Sequence, residues 1–192
     1  VATPPIGLAP FRVSICGIGE LPDYEAGGVT HVVSILDPDA PEPAAFATFP
    51  PHKRLELRFN DVIDPHLGYV LPHSRDIESL LEFGRELGPR SHGLIHCHAG
   101  QSRSTASAAL LIAQARPELS PEHIYAGIVR ARPRAWPNLR IIELGDALLG
   151  RGGALVAAAG PVYLGMIERE PILEDLFIDG GRAREVRAAY GR

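Results

Sequence analysis

Nine adjacent residues, His96-Cys97-His98-Ala99-Gly100-Gln101-Ser102-Arg103-Ser104, bring a thiol, a glycine, a guanidinium and two hydroxyls together. They lie between a short apolar run ending at Cys97 and an Ala-rich helical run opening at Ser102. A loop that enters a helix N-terminus turns successive backbone N–H groups into one concavity, which favours an anion. Gly100 supplies a backbone position free of Cβ sterics. The planar fork of Arg103 matches two phosphate oxygens. Loop amides and the helix dipole favour the ionised form of Cys97. A nest for an anion with a thiolate at its base suits nucleophilic attack on phosphorus.

The pattern His96-Cys97-x-x-Gly100-x-x-Arg103-Ser104 resembles the signature of the cysteine-dependent protein tyrosine phosphatases, in particular the compact dual-specificity type. Thr30-His31-Val32-Val33 resembles an early strand of that family, and Arg132-Pro133 with Pro137-Asn138 resembles a segment downstream of its signature. The likeness runs from Phe11 to Leu149 and does not reach the C-terminal stretch. It implies that Cys97 attacks phosphorus and carries a cysteinyl-phosphate. The amides of His98, Ala99, Gly100, Gln101, Ser102 and Arg103, with the Arg103 side chain, would hold the equatorial oxygens. Ser104 would ease departure of the sulfur, His96 would orient Cys97, and Asn138 would brace the loop. No metal or other cofactor is implied.

The resemblance also implies a general acid, an Asp on a loop after a strand and upstream of the nucleophile. Asp61, just past the alternating run that ends at Phe59, fits that place. Asp64 is the rival, and both acids could instead cap a turn. The activity implied is removal of phosphate from phosphotyrosine, with phosphoserine and phosphothreonine as further substrates, in a phosphorylated protein or a small phosphomonoester. Two other readings stand beside it. One is a non-catalytic module that captures phosphorylated partners, although Cys97, Arg103 and an acid are all present. The other is a phosphatase of inositol phosphates or phosphoinositides, although the loop interior from His98 to Ser102 carries no Lys or Arg.

The elements that must position these residues read as an α/β fold, a central and largely parallel sheet flanked by helices. Strands are expected over Phe11 to Ile18, Thr30 to Leu36, Lys53 to Phe59 and Gly93 to Cys97. Leu55, Leu57 and Phe59 alternate with Arg54, Glu56 and Arg58, the period of a half-buried strand. A helix from His73 should stop at Gly88-Pro89. Others are expected from Ser102 to Arg116, from Ser120-Pro121 to about Arg132, and from the cap Asn138 to near Gly150. The apolar stretch Gly152 to Met166 is interrupted by Gly160-Pro161. Arg182 to Tyr190 reads as a charged terminal helix. The organisation expected is a catalytic unit over 1–150, with an extension over 151–192 packed on it.

Among 192 residues, 45% are hydrophobic and 22% charged, which excludes disordered and fibrous classes. A net charge of −4 gives no general basic footprint, so nucleic acid is not an expected partner. No run is long enough for a membrane span, and Val1-Ala2-Thr3-Pro4-Pro5 lacks the regions of a signal peptide. With only Cys16 and Cys97 there is no disulfide framework, so a reducing, cytoplasmic setting is expected. Cys16 should pack in the first strand, with a reversible disulfide to Cys97 as the alternative. The histidines at 31, 52, 66, 73, 92 and 123 read as surface residues, and Arg130, Arg132, Arg134 and Arg140 as a solvated basic face. Nothing in the sequence fixes an oligomeric state.

Overall fold

The computed structural model describes residues 5–191; residues 1–4, read above for a leader, and residue 192 lie outside the described residues. Four strands, β1 (Arg12–Gly17), β2 (His31–Leu36), β3 (Lys53–Arg58) and β4 (His92–Cys97), form one sheet in the order β1-β4-β2-β3. Every pairing is parallel, with Gly17 opposite Cys97 and Ser34 opposite His96. The interior strands β2 and β4 are buried along their whole length. Strand β3 lies at the edge, which is why its sequence alternates: Leu57 is buried while Lys53, Arg54 and Glu56 are exposed. Because all four strands run the same way, their C-terminal ends bring Gly17, Asp37, Phe59 and Cys97 to one side of the sheet, where ligands bind in open α/β folds.

Among the described residues, seven α-helices cover this frame. The first, α1 (Ser74–Gly84), buries Ile77, Leu80 and Leu81. It ends before the expected Gly88-Pro89 stop: Arg85, Glu86 and Leu87 close tight turns onto the preceding carbonyls, and Gly88 does not take a left-handed conformation. Helix α2 (Arg103–Ala115) is buried from Arg103 to Ala113 and forms the axis of the core. Glycines on its neighbours let α1 and α4 approach it closely: a Cβ at Gly84 would meet Leu111 at 2.5 Å, and one at Gly145 would run into Leu110. Helix α3 (Pro121–Ala131) is capped by Ser120 Oγ, which accepts from His123 N. Helix α4 (Leu139–Leu148) is capped by Asn138 Oδ1, which accepts from Ile141 N at 3.1 Å.

The chain then turns through Gly150, Gly152 and Gly153, all at positive φ. Asp146 accepts from Gly153 N and Leu155 N there, setting the start of α5 (Ala154–Arg169). Gly160 and Pro161, which interrupt the apolar run, both lie inside α5. Pro161 costs one backbone donor, while Gly160 lets the Ala188 carbonyl approach to where a Cβ would stand 2.5 Å away. Two short helices, α6 (Ile172–Asp179) and α7 (Ala183–Ala189), complete the chain. Tyr125 Oη donates to Leu155 O and Tyr163 Oη to Pro137 O, fastening α5 against the preceding helices.

One expectation about single residues is corrected, and the placing of Cys16 in the first strand holds. His31 and His92 are buried, not surface residues; His92 bridges Ser14 Oγ at 2.9 Å and the Gly27 carbonyl at 3.0 Å. Cys16 and Cys97 are both free and belong to separate apolar clusters on opposite faces of the sheet, so the strand alternation keeps them from pairing.

Candidate active site

The segment from Cys97 to Ser104 leaves the end of β4 and enters α2. The carbonyls from His98 to Ser102 point outward into the scaffold. The carbonyl of His98 accepts from Ile18 N, and those of Ala99 and Gly100 accept from the Arg132 guanidinium at 3.2 and 3.1 Å. Gln101 O accepts from Trp136 N at 2.9 Å, and Ser102 O from Asn138 N at 3.3 Å. With the carbonyls held this way, the amides face the other side. None of the N–H groups of Ala99, Gly100, Gln101 and Ser102 finds an acceptor among the described residues. Gly100 makes the reversal possible: its φ is +68°, and a Cβ would lie 2.5 Å from the backbone of Cys16.

Cys97 Sγ stands at the base of this cup, 3.2 Å from Ser104 Oγ, with both residues buried. Arg103 is buried as well and fixed from one end: its Nη1 donates to Asp37 Oδ1 at 2.6 Å and to Phe59 O at 2.7 Å. Its Nε is a buried donor with no partner among the described residues. A guanidinium anchored through Nη1 with Nε unspent keeps one edge for an anion. Cys97, Arg103, Asp37 and Asp61 line a single open cavity of about 380 Å³, walled by Tyr69, Trp136 and Phe177. The Trp136 and Phe177 rings stack with centroids 3.9 Å apart.

No family model matches the chain. It is 29% identical over 115 residues to the MAP kinase phosphatase with leucine-rich repeats protein 2 of Dictyostelium discoideum, a match covering 60% of this chain and 15% of that protein. The chain thus spans a small part of the length of the curated relative it matches. Human DUSP28 superimposes with a TM-score of 0.53 at 19% identity, covering 75% of this chain and 97% of that one. PTPMT1 in complex with PI(5)P superimposes with a TM-score of 0.53 at 16% identity, covering 76% and 93%. The fold is that of the dual-specificity phosphatases.

Within this phosphatase fold the two acids separate. Asp61 faces the cavity that holds Cys97, and its Oδ1 accepts from Ser102 Oγ at 2.7 Å and Asn138 Nδ2 at 2.9 Å. Asp64 lines a neighbouring cavity and pairs with Arg184 Nη1 at 2.9 Å. Burial pushes the Asp61 carboxyl up, but the Arg182 and Arg103 guanidiniums and the bonds from Asn138 and Ser102 outweigh it and hold the group below its ordinary value of 3.8. Both supporting residues reach the backbone of the Cys97–Ser104 segment. The Asn138 side chain ties the Asp61–Val62 turn, and its backbone N–H holds the Ser102 carbonyl. The His96 ring lies on the face of the strand opposite the Cys97 side chain, where it meets Ser34 Oγ at 2.7 Å and reaches the Cys97 backbone; burial pushes its pKa down to about 4, so it is neutral at pH 7.

Several residues at this site carried no signal in the sequence or a misleading one. Arg132, assigned to a solvated face, is the clamp behind the loop and is itself paired with Glu20 at 2.9 Å. Asp37 follows β2 as an ordinary loop acid until the fold brings it to Arg103. Arg182 comes from the stretch outside the family likeness, and its Nη1 lies 3.3 Å from Asp61 Oδ2. Among the described residues no group of three or more His, Cys, Asp or Glu gathers as for a metal, and no helix is long and apolar enough to cross a membrane.

Proposed function

We propose that this chain is a phosphomonoester hydrolase whose substrates are phosphotyrosine side chains in proteins. The observation that carries the reading is the cup itself: unpaired amides and the unspent Nε of Arg103 above the sulfur of Cys97. In the first step the Cys97 sulfur bonds to phosphorus as the bond to the tyrosine oxygen breaks. The Asp61 carboxyl gives that oxygen its proton. In the second step a water attacks phosphorus, Asp61 takes its proton, and the sulfur leaves while Ser104 Oγ donates to it. Preorganised donors in the cup stabilise the charge on the equatorial oxygens in both steps.

Aromatic walls favour an aryl ester. Tyr69 and the Trp136–Phe177 stack flank the cavity and suit the ring of a phosphotyrosine. A polyphosphorylated inositol would instead require cations left unspent around the rim. The cation that the C-terminal segment adds, Arg182, is matched by Glu185 and Asp61. Exchange of Cys97→Ser is expected to abolish turnover of phenyl phosphate and the appearance of one phosphoryl group on the protein in the mass spectrum. Unchanged turnover by that variant would exclude the mechanism, and a wild-type protein that binds phosphotyrosine peptide without hydrolysing it would make the chain a binding module.

A further inference from the structure

Arg182 lies in the turn between α6 and α7 and is almost fully buried, yet it lines the cavity with Cys97. Its guanidinium is fixed by Glu185: Nε donates to Oε2 and Nη2 to Oε1, both at 2.7 Å. Glu185 is wholly buried and also accepts from Trp136 Nε1 at 2.6 Å and Leu139 N at 2.9 Å. Burial pushes the Glu185 carboxyl up, but both oxygens face only donors, and no neighbour offers an acceptor for a carboxyl proton. The group is therefore a carboxylate, and Arg182 is held in a set orientation with the Phe177 ring beneath it. A buried ion pair of this kind is often no more stable than an apolar pair of equal volume, so stability alone does not call for it.

What the anchor sets is the other edge of the guanidinium. Nη2 donates to Ser102 Oγ at 2.9 Å, Ser102 Oγ donates to Asp61 Oδ1, and Nη1 reaches Asp61 Oδ2. This closed ring fixes the rotation of the Asp61 carboxyl. Oδ1 is doubly held, whereas Oδ2 has only the long contact to Arg182 and is the oxygen left to carry a proton. We propose that Arg182, supplied by the C-terminal segment, is a positioning residue that orients Asp61 as proton donor and stabilises the carboxylate it becomes. This rests on the hydrolytic reading above and assigns the segment after Gly150 a part in the reaction.

The charged and titratable groups around Asp61 are Arg182 with Glu185 from the α7 side, Arg103 with its partner Asp37, Cys97 and His98 at the end of β4, His66 and Tyr69 from the loop after Asp61, Asp179 at the end of α6, and the Asp64–Arg184 pair. A bound phosphate dianion adds a negative charge that raises the proton affinity of Asp61, against which Arg182 acts. Removing Arg182 therefore moves the falling, alkaline limb of the kcat profile to higher pH, while the loss of orientation lowers the rate on its plateau.

The test compares phenyl phosphate with para-nitrophenyl phosphate, whose better leaving group needs less protonation. With Arg182→Gln, kcat on phenyl phosphate should fall about 10- to 100-fold. KM should stay nearly unchanged and the nitrophenyl ester should be far less affected. Arg182→Lys, which keeps the charge without the fork, should restore the pH limb but only part of the rate. In the Asp61→Asn background, Arg182→Gln should cost nothing further, since the two act as a unit. Should Arg182→Gln strand Glu185 and fail to fold, the paired Arg182→Gln/Glu185→Gln chain carries the same measurements. An equal cost in the Asp61 and Asp61→Asn backgrounds, or an equal cost on both esters, overturns the proposal while leaving the hydrolytic reading intact. No turnover of either ester by the wild-type chain, with no phosphoryl group on Cys97, sinks both.

Discussion

The loop around Cys97 is written in adjacent residues, from Cys97 to Ser104, whereas the network around Asp61 gathers Asp61, Ser102, Asn138, Arg182 and Glu185 from distant parts of the chain. Both line or border one cavity. The loop needs only a strand before it, a helix after it and Gly100 between, because its donors are backbone groups. The network needs α5 and α6 to return the chain over α4 before Arg182 can reach Asp61. On the proposed reading, local spacing determines the part that would bind the phosphoryl group, and tertiary packing the part that would handle the proton. Damage to the loop should remove chemistry on every substrate. Damage to the network should be felt in proportion to how badly the leaving group needs a proton.

The largest effect is expected at Arg103. Arg103→Lys keeps one charge but cannot reach Asp37, Phe59 O and an anion together from a planar fork. Loss of such an oxyanion contact costs about 10²–10³ in kcat, on phenyl and nitrophenyl esters alike. A loss confined to phenyl phosphate would move Arg103 from the loop to the proton side of the comparison. Next is Gly100→Ala, which forces a Cβ into the backbone of Cys16 at a positive φ. Strain and overpacking together cost about 2–4 kcal/mol, read as a lower midpoint in urea and as weakened vanadate binding. Normal vanadate affinity in that variant would show that the cup does not depend on the reversal at Gly100.

The same contrast explains what the sequence disclosed. The parallel sheet, the strand before Cys97 and the helix after it were legible because periodicity and the Cys-Gly-Arg-Ser spacing are local signals. Ser120 and Asn138 were legible as caps for the same reason. Asp37, Arg132 and Arg182 were not. Each is a charged residue in a turn or at a helix end, a context in which most charges are solvated, and only long-range contacts with Arg103, the loop carbonyls and Asp61 give them roles. The close approach of the Ala188 carbonyl to Gly160 was not legible either, since it is met only in three dimensions. His92 looked exposed because Ser14 and the Gly27 carbonyl, which satisfy it, are remote in sequence.

The smallest effect tests the network without any substrate. In the folded chain Asp61 lies below its ordinary value of 3.8, so its ionised form binds the fold more tightly than it would an unfolded chain. That stability is fully present above the unfolded value and is lost as pH falls through the folded one. Asp61→Asn lacks it at every pH. The wild-type chain should therefore melt higher than the variant at pH 6, and the gap should narrow as the pH drops below 4. Glu185 and the surface carboxylates are common to both chains, so their own titration cancels in the difference. Because one flank of Asp61 remains open to solvent, the gap should stay below about 1 kcal/mol. In chains that also carry Arg182→Gln the gap should shrink further. A gap that widens in acid would mean that the folded chain holds Asp61 protonated, and the order of strength between Arg182 and burial would then be reversed.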